Sequence, residues 1–323
     1  MRPDISIVVC THNRAAMLRD ALASLARLET GERFSYEIVV VDNASSDETP
    51  QVVLECSKSA PALRYAMEGK KGIATARNRG YREARGEWIA FFDDDQLADP
   101  RWLLELFHYA HDNSLRAVGG PVHLKLPDGC RRNLHRFVRM LLGESRLGRE
   151  AFAYSPKVSP GTGNLMLHRS VFEQVGLFDE AFAVRAEDTD LFCRMWKAGI
   201  EAWYVPTAAV QHVTPDQRLA EDYLLRLSEL TGTSVADRER RTSSLPQFAA
   251  RLLAKAMLYP VALAFKRMAT AVTAGAETQL GVRCHRHLIR QYTRRGWEIL
   301  ATEVSGWLSR SHRPSFAKSA RSA

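Results

Sequence analysis

The chain has 323 residues, 46% of them hydrophobic and 25% charged, with a formal net charge of +8. This is ordinary globular material, which excludes a disordered or fibrous chain, and the length allows one large domain or two smaller ones. Five cysteines, odd in number and with no C-x-x-C pair, suggest neither a disulfide framework nor a zinc site, so a reducing compartment fits best.

The first residues run straight into a strand pattern, Ile5 to Cys10, without the long apolar stretch of a secretory signal. Met17, Leu18, Leu22, Leu25 and Leu28 then form one stripe at helical spacing, predicting a helix from Ala15 to Leu28. Glu37 to Asp42 is a second strand, apolar on both faces as central parallel strands are. Ser45 and Glu48 fit a capping box, so a helix should start there. A weaker strand at Leu63–Met67 precedes a glycine-opened helix from Gly72 to Arg85, a strand from Glu87 to Phe92 and a helix from Pro100 to about His111. This alternation predicts an α/β fold with an open, mostly parallel sheet flanked by helices, and ligands bind such sheets beyond the carboxyl ends of the strands.

That rule gathers the polar residues. Thr11, His12, Asn13 and Arg14 end the first strand, Asp42 and Asn43 the second, and Asp93, Asp94 and Asp95 follow the apolar run Trp88–Phe92. Three adjacent carboxylates repel one another, and a divalent cation is a natural remedy; a solvated acidic turn is the plainer alternative. No G-x-G-x-x-G follows the first strand and no P-loop occurs, which excludes the dinucleotide-binding and P-loop NTPase readings. Further on, Gly161-Thr162-Gly163-Asn164 is a flexible loop entering an apolar strand at Leu165–Leu167. Acidic residues Glu187, Asp188 and Asp190 crowd a helix start, where the helix dipole favours them and where mutual repulsion should raise one pKa. Short strands at Ala202–Val205 and Ala209–His212 follow.

In their order and spacing, Val8–Arg14, Val41–Asp47, Ala76–Gly80, Phe91–Asp95, Gly161–Asn164, Gly176–Glu180, Glu187–Leu191 and His212 resemble an inverting, family-2 nucleotide-sugar glycosyltransferase of the GT-A fold. The resemblance covers roughly residues 4–214. It implies transfer of a sugar from a nucleoside-diphosphate donor, UDP-linked by expectation, to a glycan or lipid-linked acceptor, with Mn²⁺ or Mg²⁺ as cofactor. It implies a nucleotide-sugar pocket made by Thr11, Asn13, Arg14, Asp42, Arg77, Asp93 and Asp94. Within it, Asp42 would accept the base's ring N–H, Arg77 would meet base or diphosphate, and Asp93 would lie near the ribose. Asp95 and His212 are implied as metal ligands, Asp188 as the catalytic base, and Gly163, Asn164 and Glu187 as part of the sugar or acceptor loop. A sugar-1-phosphate nucleotidylyltransferase is a weaker reading, since Thr11–Arg14 lacks a glycine-rich loop. A non-catalytic nucleotide-sugar-binding scaffold is the other alternative.

The charge is uneven: residues 216–323 carry 18 Lys and Arg against 9 Asp and Glu, and the rest of the chain is nearly neutral. This sets the expected boundaries: a catalytic domain over 1–214, a basic helical extension over 215–308 and a disordered tail over 309–323. Residues 246–268 are apolar with flanking Lys and Arg but too short and interrupted to span a bilayer, which needs about 20 apolar residues. They fit a helix lying in an anionic membrane interface, or one packed on protein. The basic stretch Arg131–Arg149 leaves the same choice. A cytoplasmic protein at the inner face of a membrane is expected, and no nucleic-acid partner, because the basic tail lacks interleaved aromatics.

Overall fold

A computed structural model describes residues 2–58, 60, 62–130, 132–156, 158–182, 186–270 and 275–311, with backbone only at 260–270 and 306–311. The elements run β1 (Ile5–Thr11), α1 (Ala15–Leu25), β2 (Tyr36–Asp42), α2 (Thr49–Ser57), β3 (Leu63–Met67), α3 (Ile73–Glu83), β4 (Trp88–Asp93), β5 (Gln96–Ala98) and α4 (Trp102–Asp112). Then come β6 (Ala117–Gly119), β7 (Val122–Lys125), α5 (Arg136–Leu141), β8 (Phe152–Ala153), β9 (Asn164–His168), α6 (Arg169–Val175), α7 (Glu187–Lys197), β10 (Trp203–Tyr204) and β11 (Val210–Val213). Four helices close the series: α8 (Asp216–Leu219), α9 (Glu221–Thr242), α10 (Leu245–Thr270) and α11 (Ala276–Ser311).

Eight strands form one sheet in the order β3-β2-β1-β4-β9-β6-β10-β8. β3, β2, β1 and β4 are parallel neighbours, and β9 runs antiparallel to both β4 and β6. Both faces of the parallel half are buried, and the alternation of β-branched residues decides which side chain goes where. Ile5, Ile7, Val9, Ile38, Val40 and Phe92 pack with Leu18, Leu22, Leu25 and Trp102 on one side. Val8, Val39, Val41, Ile89 and Phe91 pack with Ala76, Phe172, Phe192 and Met195 on the other. Each such buried side chain contributes about 1.5–3 kcal/mol. Strand order reverses between β1 and β4, so the crevice beyond their carboxyl ends is the natural ligand site.

A second sheet, β5-β11-β7, was not legible in the sequence. β5 leaves the aspartate triplet and pairs antiparallel with β11, placing His212 opposite Gln96. Two other expectations are corrected. α2 starts at Thr49, and its first turn is capped by Asp47, which accepts from Thr49 N at 3.1 Å, while Ser45 Oγ accepts instead from Asn13 N. Within Arg131–Arg149 only Arg136–Leu141 is helical, and Arg131 itself lies outside the described residues.

The chain divides into two compact units between Leu224 and Leu225, inside α9 and later than the expected boundary at 214/215. In the second unit Ala236, Leu252 and Tyr292 form a small apolar core, and Phe248 is also fully buried. Lys255 donates to Glu239 at 2.7 Å and lies 3.9 Å from the Tyr292 ring centre. The apolar stretch expected at an interface is thus part of one continuous helix, with its first turns packed on protein. Leu253, Met257 and Leu258 remain exposed. No helix among the described residues is long and apolar enough to cross a membrane. Residues 309–311 belong to α11, and the expected disordered tail otherwise lies outside the described residues.

Candidate active site at the carboxyl ends of the sheet

The loops after β1, β2 and β3 are locked together by short polar side chains. Asn13, with φ at 53°, accepts from Ser46 N at 2.7 Å, and His12 Nδ1 lies 2.8 Å from the Asn43 carbonyl. Asn43 donates to the carbonyls of Glu68 and Lys70 and accepts from Gly72 N at 2.8 Å. Gly72, at φ 146°, supplies the backbone geometry that opens α3. Asp42 is 2% exposed; one oxygen accepts from Ser45 N and the other from the Tyr65 hydroxyl, each at 2.8 Å. Burial, then Asp42, pushes the Tyr65 phenol up to about 12. Asp42 thus holds the loop and Tyr65 in place, and only its unused lone pairs could meet a base.

The aspartate triplet is split by environment. The Asp93 side chain is 42% exposed and faces the crevice, with Arg77 Nη2 at 3.6 Å. Asp94 is buried against Arg14, whose Nη1 lies 2.8 Å from its Oδ1; burial lifts its pKa to about 6 against the pull of Arg14. Asp95 is also buried, yet its Oδ2 accepts from Arg14 at 3.0 Å and Arg218 at 2.9 Å, with His212 Nε2 at 3.2 Å. Burial would raise the Asp95 pKa, but His212, Arg218 and Arg14 outweigh it and hold the carboxyl well below the usual range. β5 and β11 create this meeting, since Val213 N donates to the Asp95 carbonyl at 2.8 Å.

Arg77 is 7% exposed and joins Asp93 to Glu187, with which it forms a close ion pair. Glu187 is itself 5% exposed, and its Oε2 has no hydrogen-bond partner among the described residues. Burial raises its pKa against the opposing pull of Arg77, with Asp188 adding to the rise. Asp188 Oδ1 accepts from Thr189 N at 2.6 Å. The glycine loop bridges the two acidic groups: a Cβ on Gly161 would sit 3.9 Å from Asp188 Oδ2, and one on Gly163 only 2.4 Å from Asp93 Oδ2. Asp93 and Asp188 therefore flank one backbone segment.

The structure brings Thr11, Asn13, Arg14, Asp42, Arg77, Asp93, Asp94, Asp95, Gly163, Glu187, Asp188 and His212 to this rim, but two of these, and Asn164 beside them, do other work than expected. Asn164 is 1% exposed; its amide donates to the carbonyls of Pro121 and Ala208 and accepts from Trp102 Nε1, so it fixes the loop rather than lining it. Arg77 and Glu187 form a buried strut between α3 and α7 and present little surface to a ligand. Two residues were missed. Asn78 exchanges hydrogen bonds with the Phe178 backbone and fixes the segment before α7; it was legible as the centre of Ala76–Gly80. Arg218 lies six positions past His212 and gave no signal, because its partner Asp95 is distant in sequence. A groove lined by Asp128, Cys130, Arg132, Asp216 and Leu219 flanks α8 but contains none of the acidic residues of the rim.

Among the described residues, no set of three or more His, Cys, Asp and Glu side chains is arranged as a metal site. The Asp95–His212 pair nonetheless offers a carboxylate and an imidazole on neighbouring atoms, a donor set that suits Mn²⁺ and leaves other positions for water and phosphate.

Known proteins resemble this chain in sequence and in fold. The Haloferax volcanii glycosyltransferase AglE is 27% identical over 54% of this chain and 56% of its own length. The probable glycosyltransferase YdaM of Bacillus subtilis is 26% identical over 66% of this chain and 51% of its own length. The chain thus spans about half the length of these curated relatives. The succinoglycan biosynthesis protein ExoM of Rhizobium meliloti is 27% identical, over 69% of this chain and 71% of that protein. Among solved structures, the mannosyltransferase PcManGT from Pyrobaculum calidifontis, in complex with GDP-Man and Mn²⁺, superposes with a TM-score of 0.58 at 23% identity. It covers 96% of this chain and 88% of that one. That likeness shows the GT-A fold. The model of glycosyl transferase family 2 matches residues 6–176, from β1 through α6 and across the acidic rim. More than half of the sequence is thereby accounted for, and the chain belongs to glycosyl transferase family 2.

Proposed function

We propose that the chain transfers a sugar from a nucleoside-diphosphate sugar to a glycan or lipid-linked acceptor, in cell-envelope or exopolysaccharide synthesis, with inversion at the anomeric carbon. One observation carries the reading: half-exposed Asp93 and the carboxylate of Asp188 flank a single glycine loop at the strand-order reversal. The mannosyltransferase neighbour with GDP-Man and Mn²⁺, and relatives named for exopolysaccharide synthesis, support it. A UDP-linked donor follows from the motif resemblance and a GDP-linked one from that neighbour, so both belong in the test.

Each residue has a role in this reading. Thr11, Asn13, Arg14 and Asp42 frame the nucleotide, with Tyr65 beside Asp42 as a half-exposed ring for the base. Asp93 faces ribose and diphosphate, and Arg77 keeps Asp93 in register with α7. Asp95 and His212 are the residues that would hold Mn²⁺ or Mg²⁺. A bound divalent ion supplies charge neutralisation of the departing diphosphate. Asp188 accepts the proton of the acceptor hydroxyl as that oxygen attacks. General-base help of this kind is worth about 10²–10⁴ in rate. Because Asp188 takes a proton and attacks no carbon, the displacement is single and the configuration inverts. The exposed Leu253, Met257 and Leu258 of α10, next to basic residues, support peripheral contact with an anionic, cytoplasmic membrane face.

A thermal-shift panel of UDP- and GDP-sugars with and without Mn²⁺ tests the proposal. A ligand at about 100 times its Kd stabilises by about 2.7 kcal/mol. One donor class should raise the melting point only when the cation is present. Failure of every nucleotide sugar to do so, or an equal shift in Asp95→Asn without metal, overturns the reading.

A further inference from the structure

Resting on the reading just given, we infer that Arg218 is a built-in counter-cation that occupies the Asp95–His212 donor pair and must be displaced before a divalent metal binds there. Nη2 of Arg218 donates to Asp95 Oδ2 and Nη1 lies on His212 Nε2, both at 2.9 Å. One planar fork therefore spans the two atoms proposed as metal ligands, which are 3.2 Å apart. A guanidinium can only donate, so its contact requires a lone pair on Nε2. That single lone pair is the one a metal ion on His212 Nε2 would need, at roughly 2.0–2.2 Å, whereas Asp95 Oδ2 accepts from Arg14 as well. Guanidinium and metal thus exclude each other.

The arrangement is built rather than incidental. Arg218 has only 14% of its side chain exposed, and the short helix that carries it is tied from behind by Arg132, which donates to the Leu219 carbonyl at 2.7 Å. Without Arg218, Asp95 would be a buried carboxylate whose one remaining guanidinium partner among the described residues is Arg14. The fork compensates the Asp95 charge without metal, and the ion's apparent affinity falls with the fraction of molecules in which the fork is engaged.

The test is Mn²⁺ binding to the full chain without nucleotide, read by the electron paramagnetic resonance signal of free Mn²⁺. Arg218→Gln should bind Mn²⁺ about 10- to 100-fold more tightly than the wild type, the range set by one lost charge-assisted bridge. Arg218→Lys, a single point charge that cannot fork onto both atoms, should fall between them. Asp95→Asn should lose this site in either background. Melting curves confirm that the variants fold. If Arg218→Gln binds Mn²⁺ no more tightly than wild type while Asp95→Asn abolishes binding, the counter-cation role is wrong and the metal reading stands. If no variant binds Mn²⁺ in an Asp95-dependent way, with or without a nucleoside diphosphate, both fall.

Discussion

Replacing Arg77 by methionine probes the strut that holds the acidic rim together. Arg77 and Glu187 are 7% and 5% exposed, so their mutual attraction is little screened and neither can be hydrated if left alone. Removing one partner of a buried pair costs about 3–5 kcal/mol, because the survivor is an uncompensated buried charge. In a unit of this size that corresponds to a fall in melting temperature of roughly 6–20 °C. The survivor can escape by taking a proton: burial already raises the Glu187 pKa, and Arg77 is the main influence restraining it. A carboxyl whose pKa is higher in the folded than in the unfolded state binds more protons when folded, so stability falls as pH rises through that window. The Arg77→Met penalty should therefore be smaller near pH 4.5 than near pH 8. Arg77→Met with Glu187→Gln should cost less than Arg77→Met alone at the higher pH. Urea unfolding of the three proteins at both pH values is the assay. A loss below about 1 kcal/mol near pH 8, or an equal loss at both pH values, refutes the buried-strut argument.

Asp188→Asn should lower transfer by about 10²–10⁴-fold while leaving donor-induced stabilisation intact, because the asparagine Oδ1 can still accept from Thr189 N; kinetics and thermal shift on one preparation separate the two. Asn164→Ala should destabilise the first unit by about 2–4 kcal/mol in urea titration, since it orphans the buried indole N–H of Trp102 and takes the amide donor from the Ala208 and Pro121 carbonyls, the second of which keeps Val210 N. Gly232→Ala should destabilise the second unit despite alanine's better helix propensity: its Cβ would lie 2.3 Å from the Leu288 carbonyl oxygen, an atom fixed in α11. A raised melting point there would contradict the packing. Tyr65→Phe should remove from the ultraviolet titration near 295 nm one tyrosine pushed up to about 12 by burial and Asp42, and an unchanged high-pH limb would contradict that contact.

The parallel half of the sheet was legible because its strands carry their own pattern. β-branched runs buried on both faces need no partner to be recognised, and the polar residues that end them follow from that placement. The second sheet was not legible, since β5 and β7 are short and acquire their structure from β11, distant in the chain. The same cause hid Arg218: its meaning depends on Asp95, which only the β5–β11 pairing brings near. Arg77 and Glu187 were identified as residues of the site but given ligand contacts. Sequence shows that a charge lies near a crevice; it does not show that two charges are buried against each other. Asn164 misled for a similar reason, because a polar residue after a glycine loop reads as exposed when its amide is in fact enclosed by three partners.

The most direct measurement is a crystal structure of the full chain soaked with its nucleotide-sugar donor and Mn²⁺. The account predicts the diphosphate at the carboxyl ends of β1 and β4, an ion on Asp95 and His212, Arg218 swung off both atoms, and the anomeric carbon facing Asp188. A donor bound away from the aspartate triplet, or one bound there with Arg218 still seated on Asp95 and His212, would contradict it.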